Sequence, residues 1–376
     1  MKLRVFAVFF LCAVFSPAAR AADAGPFTWT ELAPLPDELG FAAPFAGVAQ
    51  GSLVVAGGAN FPDGRPWDGA RKVWHDRVFI LDTPGGAWRE AGRLPRPLGY
   101  GVSVTVPDGL LCIGGSNERE HVSTVFLLRR EGQSIRFDDF PTLPRPLANA
   151  SGALVGTTVY VAGGIERPDA APGRQLWALD LLAPAAARRW RELPPCPGQP
   201  RMLAVAGARN GAFYLFSGVD LVPDGKGGLK RECLRDAWCY SPGGVWKRLA
   251  DLPEPRAAAP SPVPFDQMGR LLVLGGDDGR LADKVNELRD AHPGFTAGIL
   301  AYDALADTWT QAGELTKAPG EDPVRHPNRS RWPPVTTPVV PWYGGYVIAS
   351  GEIRPAVRTP RVLMVTPVPA PKVPRQ

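Results

Sequence analysis

The chain has 376 residues, 45% of them hydrophobic, with 42 glycines, 42 prolines and a formal net charge of +5. That is enough apolar material for a large buried core, and glycine and proline this frequent outside low-complexity runs mark tight turns rather than disorder. The small positive excess is not gathered into a stripe with interleaved aromatics, so no nucleic-acid partner is expected.

In chain order, the first predicted element is a secretory leader over residues 1–22. Lys2 and Arg4 supply its charged start, residues 5–15 an apolar core, and Ala19-Arg20-Ala21 a cleavage site of small residues. The apolar core is too short to span a bilayer, and no later run is long enough. A periplasmic or secreted location without a membrane anchor is therefore expected, with residues 23–376 forming one domain.

Next comes a repeat. A short apolar strand runs into a small-residue–Gly pair at Gly57-Gly58, Gly114-Gly115, Gly163-Gly164, Ser217-Gly218, Gly275-Gly276 and Ser350-Gly351. The second glycines are spaced by 57, 49, 54, 58 and 75 residues, near the roughly 50-residue period of a kelch blade. Each unit reads as a first strand, a Gly turn such as Gln50-Gly51 or Asn210-Gly211, a second strand ending in the pair, and a third strand after a longer loop. The fourth strand carries an aromatic: Trp88, Phe137, Trp190, Trp246 or Trp309. These rings suit packing between blades rather than sugar binding. The sixth unit lacks its fourth strand, and residues 27–32 carry that signature. The prediction is an all-β, six-bladed kelch-type β-propeller whose last blade is closed by the N-terminal strand, which removes a pair of exposed edges.

Of the cysteines beyond the leader, Cys112 reads as a buried strand residue. Cys233 and Cys239 are six apart and read equally as a bridge or as two free thiols. His75, His121, His292 and His326 show no ligand spacing with them, so no metal or other cofactor is expected.

In a four-stranded meander, successive connections fall on opposite edges. The loops after the Gly pairs (59–76, 165–175, 219–236, 277–296 and 352–360) share one face and are the long ones, so function is expected there. Two are chemically dense. One holds Asn60, Phe61 and Pro62, then Arg71-Lys72-Val73-Trp74-His75-Asp76. The other holds Glu352, Arg354 and Arg358. An Arg can grip a carboxylate bidentately and a Glu can take a proton. The same three residues also read as a solvated ion-pair cluster, worth little energetically. The loop 325–332, rich in Arg, is expected on this face, where it would add positive potential, and each of its residues reads first as part of a solvated basic loop.

The segments Gly57-Gly58-Ala59-Asn60-Phe61-Pro62, Lys72-Val73-Trp74-His75-Asp76 and Gly351-Glu352-Ile353-Arg354-Pro355-Ala356-Val357-Arg358-Thr359 resemble the cyclically permuted branch of the N-acetylneuraminate (sialic acid) mutarotase, or epimerase, family of kelch propellers. The resemblance implies a periplasmic isomerase that exchanges the α and β anomers of an acidic sugar. Glu352 corresponds to the family's proton acceptor and Arg358 to the arginine that assists it. Ala356 stands where a Gly is common. Arg354, Asn60 and Lys72 join as expected substrate-binding residues. A small-molecule acidic sugar is the expected partner. The alternative is a non-catalytic kelch module that binds carbohydrate or protein, since one fold hosts many functions. A copper radical oxidase would need clustered Tyr, His and Cys ligands, which the scattered histidines do not offer. Burial of Glu352 against Arg358 separates enzyme from binding module.

Overall fold

Apolar runs of four to seven residues, bounded by Gly turns, become strands buried on both faces. In Ser52–Ala56, Leu53 and Val55 enter the hydrophobic layer shared with the last blade, while Val54 and Ala56 enter the layer shared with the second. Period-2 alternation therefore feeds two cores at once, which is why the strand reads as continuously apolar. The computed structural model describes residues 27–241, 243–315 and 333–368. The expected leader and the basic loop 325–332 lie outside these residues.

Six blades surround a central channel. Blade 1 is Phe45–Ala49, Ser52–Ala56, Arg77–Leu81 and Arg89–Arg93. Blades 2, 3 and 4 repeat the antiparallel order from Val102–Val106, Ser151–Val155 and Val205–Arg209. Blade 6 is Val339–Trp342, Gly345–Ala349 and Val362–Pro367, completed by Phe27–Leu32. The closing register runs from Phe27 against Pro367 to Leu32 against Val362, so the expected N-terminal closure is the observed one.

Blade 5 departs from the expected four strands. It has Leu271–Leu274, Gly298–Asp303 and Thr308–Glu314. Its inner segment carries Pro260, Pro262 and Pro264, which have no N–H to give a ladder. The donors that remain turn sideways: Val263 N–H donates to Ala206 O (2.8 Å) and Ser261 N–H to Thr337 O (3.2 Å). The segment thus bonds to the inner strand of blade 4 and to the residues that lead into the inner strand of blade 6.

Each Gly pair lets one blade touch the next. Gly57 and Gly58 have φ of +63° and +92°, and Gly58 N–H donates to Leu98 O of the approach to blade 2 (2.8 Å). A Cβ on Gly57 would lie 2.3 Å from that carbonyl, so only glycine fits. Where Ser replaces the first Gly, its hydroxyl does the tying: Ser350 Oγ accepts from Phe41 N–H at 2.7 Å. The fourth-strand tryptophans also link blades. Trp88, Trp190, Trp246 and Trp309 donate Nε1–H to Ala33, Pro141, Pro194 and Ala250 O at 2.7, 2.8, 2.8 and 2.9 Å. Each acceptor lies just beyond the fourth strand of the preceding blade. Their expected inter-blade role is met, and their one polar atom is spent on it. Cys112, Cys196, Cys233 and Cys239 are free thiols, which settles the open question over Cys233 and Cys239.

Six residues with positive φ, one per blade, stand just before the inner strands: Ala43, Tyr100, Asn149, Leu203, Ala258 and Thr336, with φ between +48° and +62°. Each donates its N–H to the carbonyl of the preceding one, and Ala43 donates to Thr336 O at 2.7 Å. The result is a closed ring of six backbone hydrogen bonds, 2.7–3.0 Å long, around the channel.

Between blades 3 and 4, the fully buried Arg201 holds Asp236 through two bonds, Nη1–Oδ1 2.9 Å and Nη2–Oδ2 2.6 Å. Burial works to raise the Asp236 pKa, but Arg201 and the Trp238 indole outweigh it and hold the carboxyl below its ordinary value. A depressed folded pKa stabilises above the unfolded value and loses that contribution as pH falls through the folded one. Asp236→Asn, which leaves the Arg201 charge buried and uncompensated, is expected to cost about 3–5 kcal/mol. Chemical denaturation at neutral pH checks this, and the gap between parent and variant should narrow in acid.

Candidate active site

The residue after each Gly pair forms a bridge to the residue before each ring residue: Ala59 to Ala42, Ser116 to Gly99, Ile165 to Ala148, Val219 to Met202, Asp277 to Ala257 and Glu352 to Val335. These six equivalent positions encircle the mouth above the hydrogen-bonded ring. Two carry carboxylates, Asp277 and Glu352, on adjacent blades 5 and 6. The repeat thus builds six similar seats, and the side chains at two of them break the symmetry.

A cavity of about 300 Å³ opens here, the low end of the range for small-molecule sites. Its floor includes the ring residues Tyr100, Asn149, Leu203, Ala258 and Thr336. Its walls come from loops after the Gly pairs: Phe61 and Lys72 of blade 1, Arg231 of blade 4, Asp277, His292 and Phe295 of blade 5, and Glu352 and Arg358 of blade 6. The expected face is therefore the one that carries the cavity. A void of about 80 Å³ lies among the ring residues and the first residues of the inner strands, too small for a sugar.

Glu352 and Arg358 meet across a two-stranded hairpin, Glu352–Arg354 with Val357–Arg358. Glu352 Oε1 accepts from Ala356 N–H (2.7 Å) and from Arg358 Nη1 (3.3 Å). Oε2 has no hydrogen-bond partner among the described residues. Among the described residues the carboxylate is thus clamped by one oxygen and open at the other. Arg358 is 3% exposed. Its Nε donates to Ala59 O at 3.3 Å, and its guanidinium lies 4.8 Å from the Phe61 ring centroid. The ion pair is largely desolvated, so its geometry is fixed by several bonds rather than by one exposed contact.

Ala356 has φ of +63°, the conformation for which glycine is the usual choice. The turn forms nonetheless, because its N–H reaches Glu352.

Lys72 Nζ stands 4.9, 5.5 and 5.9 Å from the ring centroids of Tyr100, Trp74 and Phe61. Three aromatic faces fix the ammonium by cation–π attraction. No carboxylate of the described residues pairs with it.

The other two expected binding residues sit elsewhere. Arg354 is fully buried and donates from Nη2 to Asp290 Oδ1 at 2.9 Å. Asp290 also accepts from Arg65 Nε at 3.2 Å, so Arg354 belongs to a tie among the loops of blades 1, 5 and 6. Asn60 is 2% exposed. Its Nδ2 donates to Gly40 O (3.0 Å) and its Oδ1 accepts from His75 Nε2 (2.8 Å). Neither residue lines the cavity. The Asn60 and His75 positions, so prominent in sequence, shape the loop that presents Phe61 and Lys72.

Sequence reasoning missed Tyr100, Arg231, Asp277 and His292. Tyr100 had a signal, a large residue between Gly99 and Gly101. Asp277 had one too, since it follows its Gly pair as Glu352 follows its own. Arg231 and His292 reach the cavity only through a hairpin, Val219–Pro223 with Leu229–Cys233, and a helical insertion over residues 282–291.

A family model described as N-acetylneuraminate epimerase matches residues 20–137. A curated N-acetylneuraminate epimerase of Salmonella arizonae is 40% identical over 112 residues, 26% of this chain and 28% of the relative. One of Brucella suis is 34% identical over 131 residues, 31% of this chain and 33% of the relative. One of Yersinia pestis is 42% identical over 87 residues, 20% of this chain and 21% of the relative. The chain thus spans about a fifth to a third of the length of these relatives. A solved structure titled "Structure of YjhT" superposes with a TM-score of 0.61 over 89% of this chain and 97% of the other, at 15% identity. That likeness shows the propeller fold. The resemblance to the N-acetylneuraminate epimerase family is shown, and over the matched residues it reaches Asn60 and Lys72. The Glu352–Arg358 hairpin lies beyond 20–137, so its place in the site rests on geometry.

Ala356→Gly removes a left-handed strain that costs roughly 1–2 kcal/mol for a residue with a Cβ, against a smaller loss from the freer unfolded chain. Thermal unfolding is expected to show a gain of about 0.5–1 kcal/mol, with the Glu352 contact kept.

Proposed function

We propose that this protein is a mutarotase that interconverts the α and β anomers of N-acetylneuraminate or a closely related acidic sugar by ring opening. The observation that carries the reading is Glu352 in the cavity, with Oε1 clamped by Ala356 N–H and Arg358 and Oε2 unpartnered among the described residues. Oε2 takes the proton of the anomeric hydroxyl as the ring C–O bond breaks, and the same proton passes to the released ring oxygen. The open-chain ketone turns and recloses on its other face. General acid–base help of this kind contributes roughly 10²–10⁴-fold, enough for a reaction that already proceeds unaided.

The substrate carboxylate is placed on Lys72. Arg354 is committed to Asp290 and Arg358 to Glu352, whereas Lys72 brings an ammonium held by aromatic rings. Phe295, Val285 and Ala282 give the same cavity an apolar wall suited to an acyl methyl group. The non-catalytic alternative is disfavoured because Glu352 faces Arg358 inside the cavity rather than bulk solvent. The rotated blade order belongs to this proposal and rests on the resemblance of the segments 57–62, 72–76 and 351–359. So does a periplasmic or secreted location, supported by the leader pattern over 1–22.

NMR of anomer exchange after sialidase releases the α anomer tests the reading. The parent protein should accelerate exchange, and Glu352→Gln should lose about 10²–10⁴-fold of kcat while keeping its fold. No acceleration by the parent contradicts the assignment. Lys72→Met is expected to raise KM at least tenfold, as loss of a charged contact of about 1.5–3 kcal/mol implies. A neutral ketose without the carboxylate should show no such difference between Lys72→Met and parent.

A further inference from the structure

Resting on the mutarotase reading, we infer that His292 is a second catalytic residue, a neutral hydrogen-bond donor to the ring oxygen as the sugar opens. The residue lines the cavity with Glu352 and Asp277 and is 4% exposed. Its Nδ1 accepts the N–H of Gly294 at 3.0 Å. In a neutral imidazole the other nitrogen then carries the proton. That nitrogen, Nε2, has no hydrogen-bond partner among the described residues. A donor on a buried ring that lines the cavity, with its tautomer set by the backbone and no acceptor among the described residues, suits an oxygen atom of a bound sugar.

The environment keeps the ring neutral. Burial lowers its pKa, Asp277 acts against that, Arg354 adds to it, and Asp278 and Glu352 again oppose it; the net direction is down. A neutral imidazole does not surrender Nε2–H at ordinary pH. It therefore serves as a fixed dipole toward developing charge rather than as a proton source.

The step balances without another acid. Glu352 removes the anomeric proton, the C–O ring bond breaks with its electron pair going to the ring oxygen, and the C=O bond forms. The Nε2–H of His292 stabilises the developing alkoxide until Glu352 returns the proton to it.

The placement of His292 is held from outside. The insertion Ala282–Lys284, Val285–Leu288 and Arg289–Ala291 precedes it directly. Asp290 in that insertion is gripped by Arg65 from blade 1 and Arg354 from blade 6. The tie gives Arg354 a function in the site without contact to the sugar: it fixes the segment that presents His292.

Steady-state anomer exchange on the full chain tests the assignment with three proteins: the parent, His292→Ala and His292→Gln. His292→Ala is expected to lower kcat about 10²–10³-fold, the loss seen when one such donor is removed, with KM within threefold of the parent. His292→Gln, which keeps an N–H donor of similar reach, should recover at least tenfold of that loss. A purely structural role would move kcat and KM together and give no selective rescue by an N–H donor. A parent that accelerates exchange with His292→Ala at the parental kcat overturns the inference alone. Equal losses in His292→Ala and His292→Gln overturn it as well. A parent without acceleration overturns the mutarotase reading and this inference with it.

Discussion

The closed ring of six backbone hydrogen bonds around the channel mouth is the constraint on which the rest of the molecule depends. Each member is a non-glycine residue at positive φ, which costs roughly 1–2 kcal/mol, and each bond returns about 0.5–1.5 kcal/mol. The two nearly offset, so the ring contributes geometry more than stability. It fixes where every inner strand begins, and it closes only if all six blades arrive in register. Closure of blade 6 by Phe27–Leu32 and the indole links between blades serve that same condition.

From the ring follows the site. One residue before each ring position, the chain pairs with the residue that leaves a Gly pair, so six seats face the mouth at equal depth. Symmetry alone would give six equivalent seats and no chemistry. The symmetry breaks where the loops differ: a carboxylate in two adjacent seats, a lysine held among aromatic rings on the neighbouring blade 1, and an insertion within blade 5 that brings His292. The ring also supplies Tyr100, whose side chain meets both Lys72 and Arg358. Scaffold and site therefore share atoms, and a change to the approach of one blade would be felt in the cavity.

Much of the fold was legible in the residues. Gly pairs and tryptophans recur because close backbone approach and inter-blade packing demand those side chains, and a missing sixth fourth strand pointed to residues 27–32. The irregular inner segment of blade 5 was written in Pro260, Pro262 and Pro264, yet an apolar repeat read by analogy overrode that signal. In the site, Glu352 and Arg358 were legible because they follow a Gly pair within one short hairpin. Arg354 and Asn60 misled for a common reason: residue type shows what a side chain can bind, not which partner has already taken it. Asp290 holds one and His75 with Gly40 hold the other. His292 was unreadable, since only the fold of an insertion brings it to the same cavity as Glu352.

In the proposed mutarotase, one cavity above the ring binds an acidic sugar with its carboxylate on Lys72 and its anomeric oxygen on residue 352. A crystal structure of Glu352→Gln soaked with N-acetylneuraminate tests it most directly. The sugar is expected in that cavity, its carboxylate within ion-pair distance of the Lys72 ammonium and its anomeric hydroxyl against the side chain at 352. A sugar bound on another surface, or with its carboxylate turned away from Lys72, would contradict it.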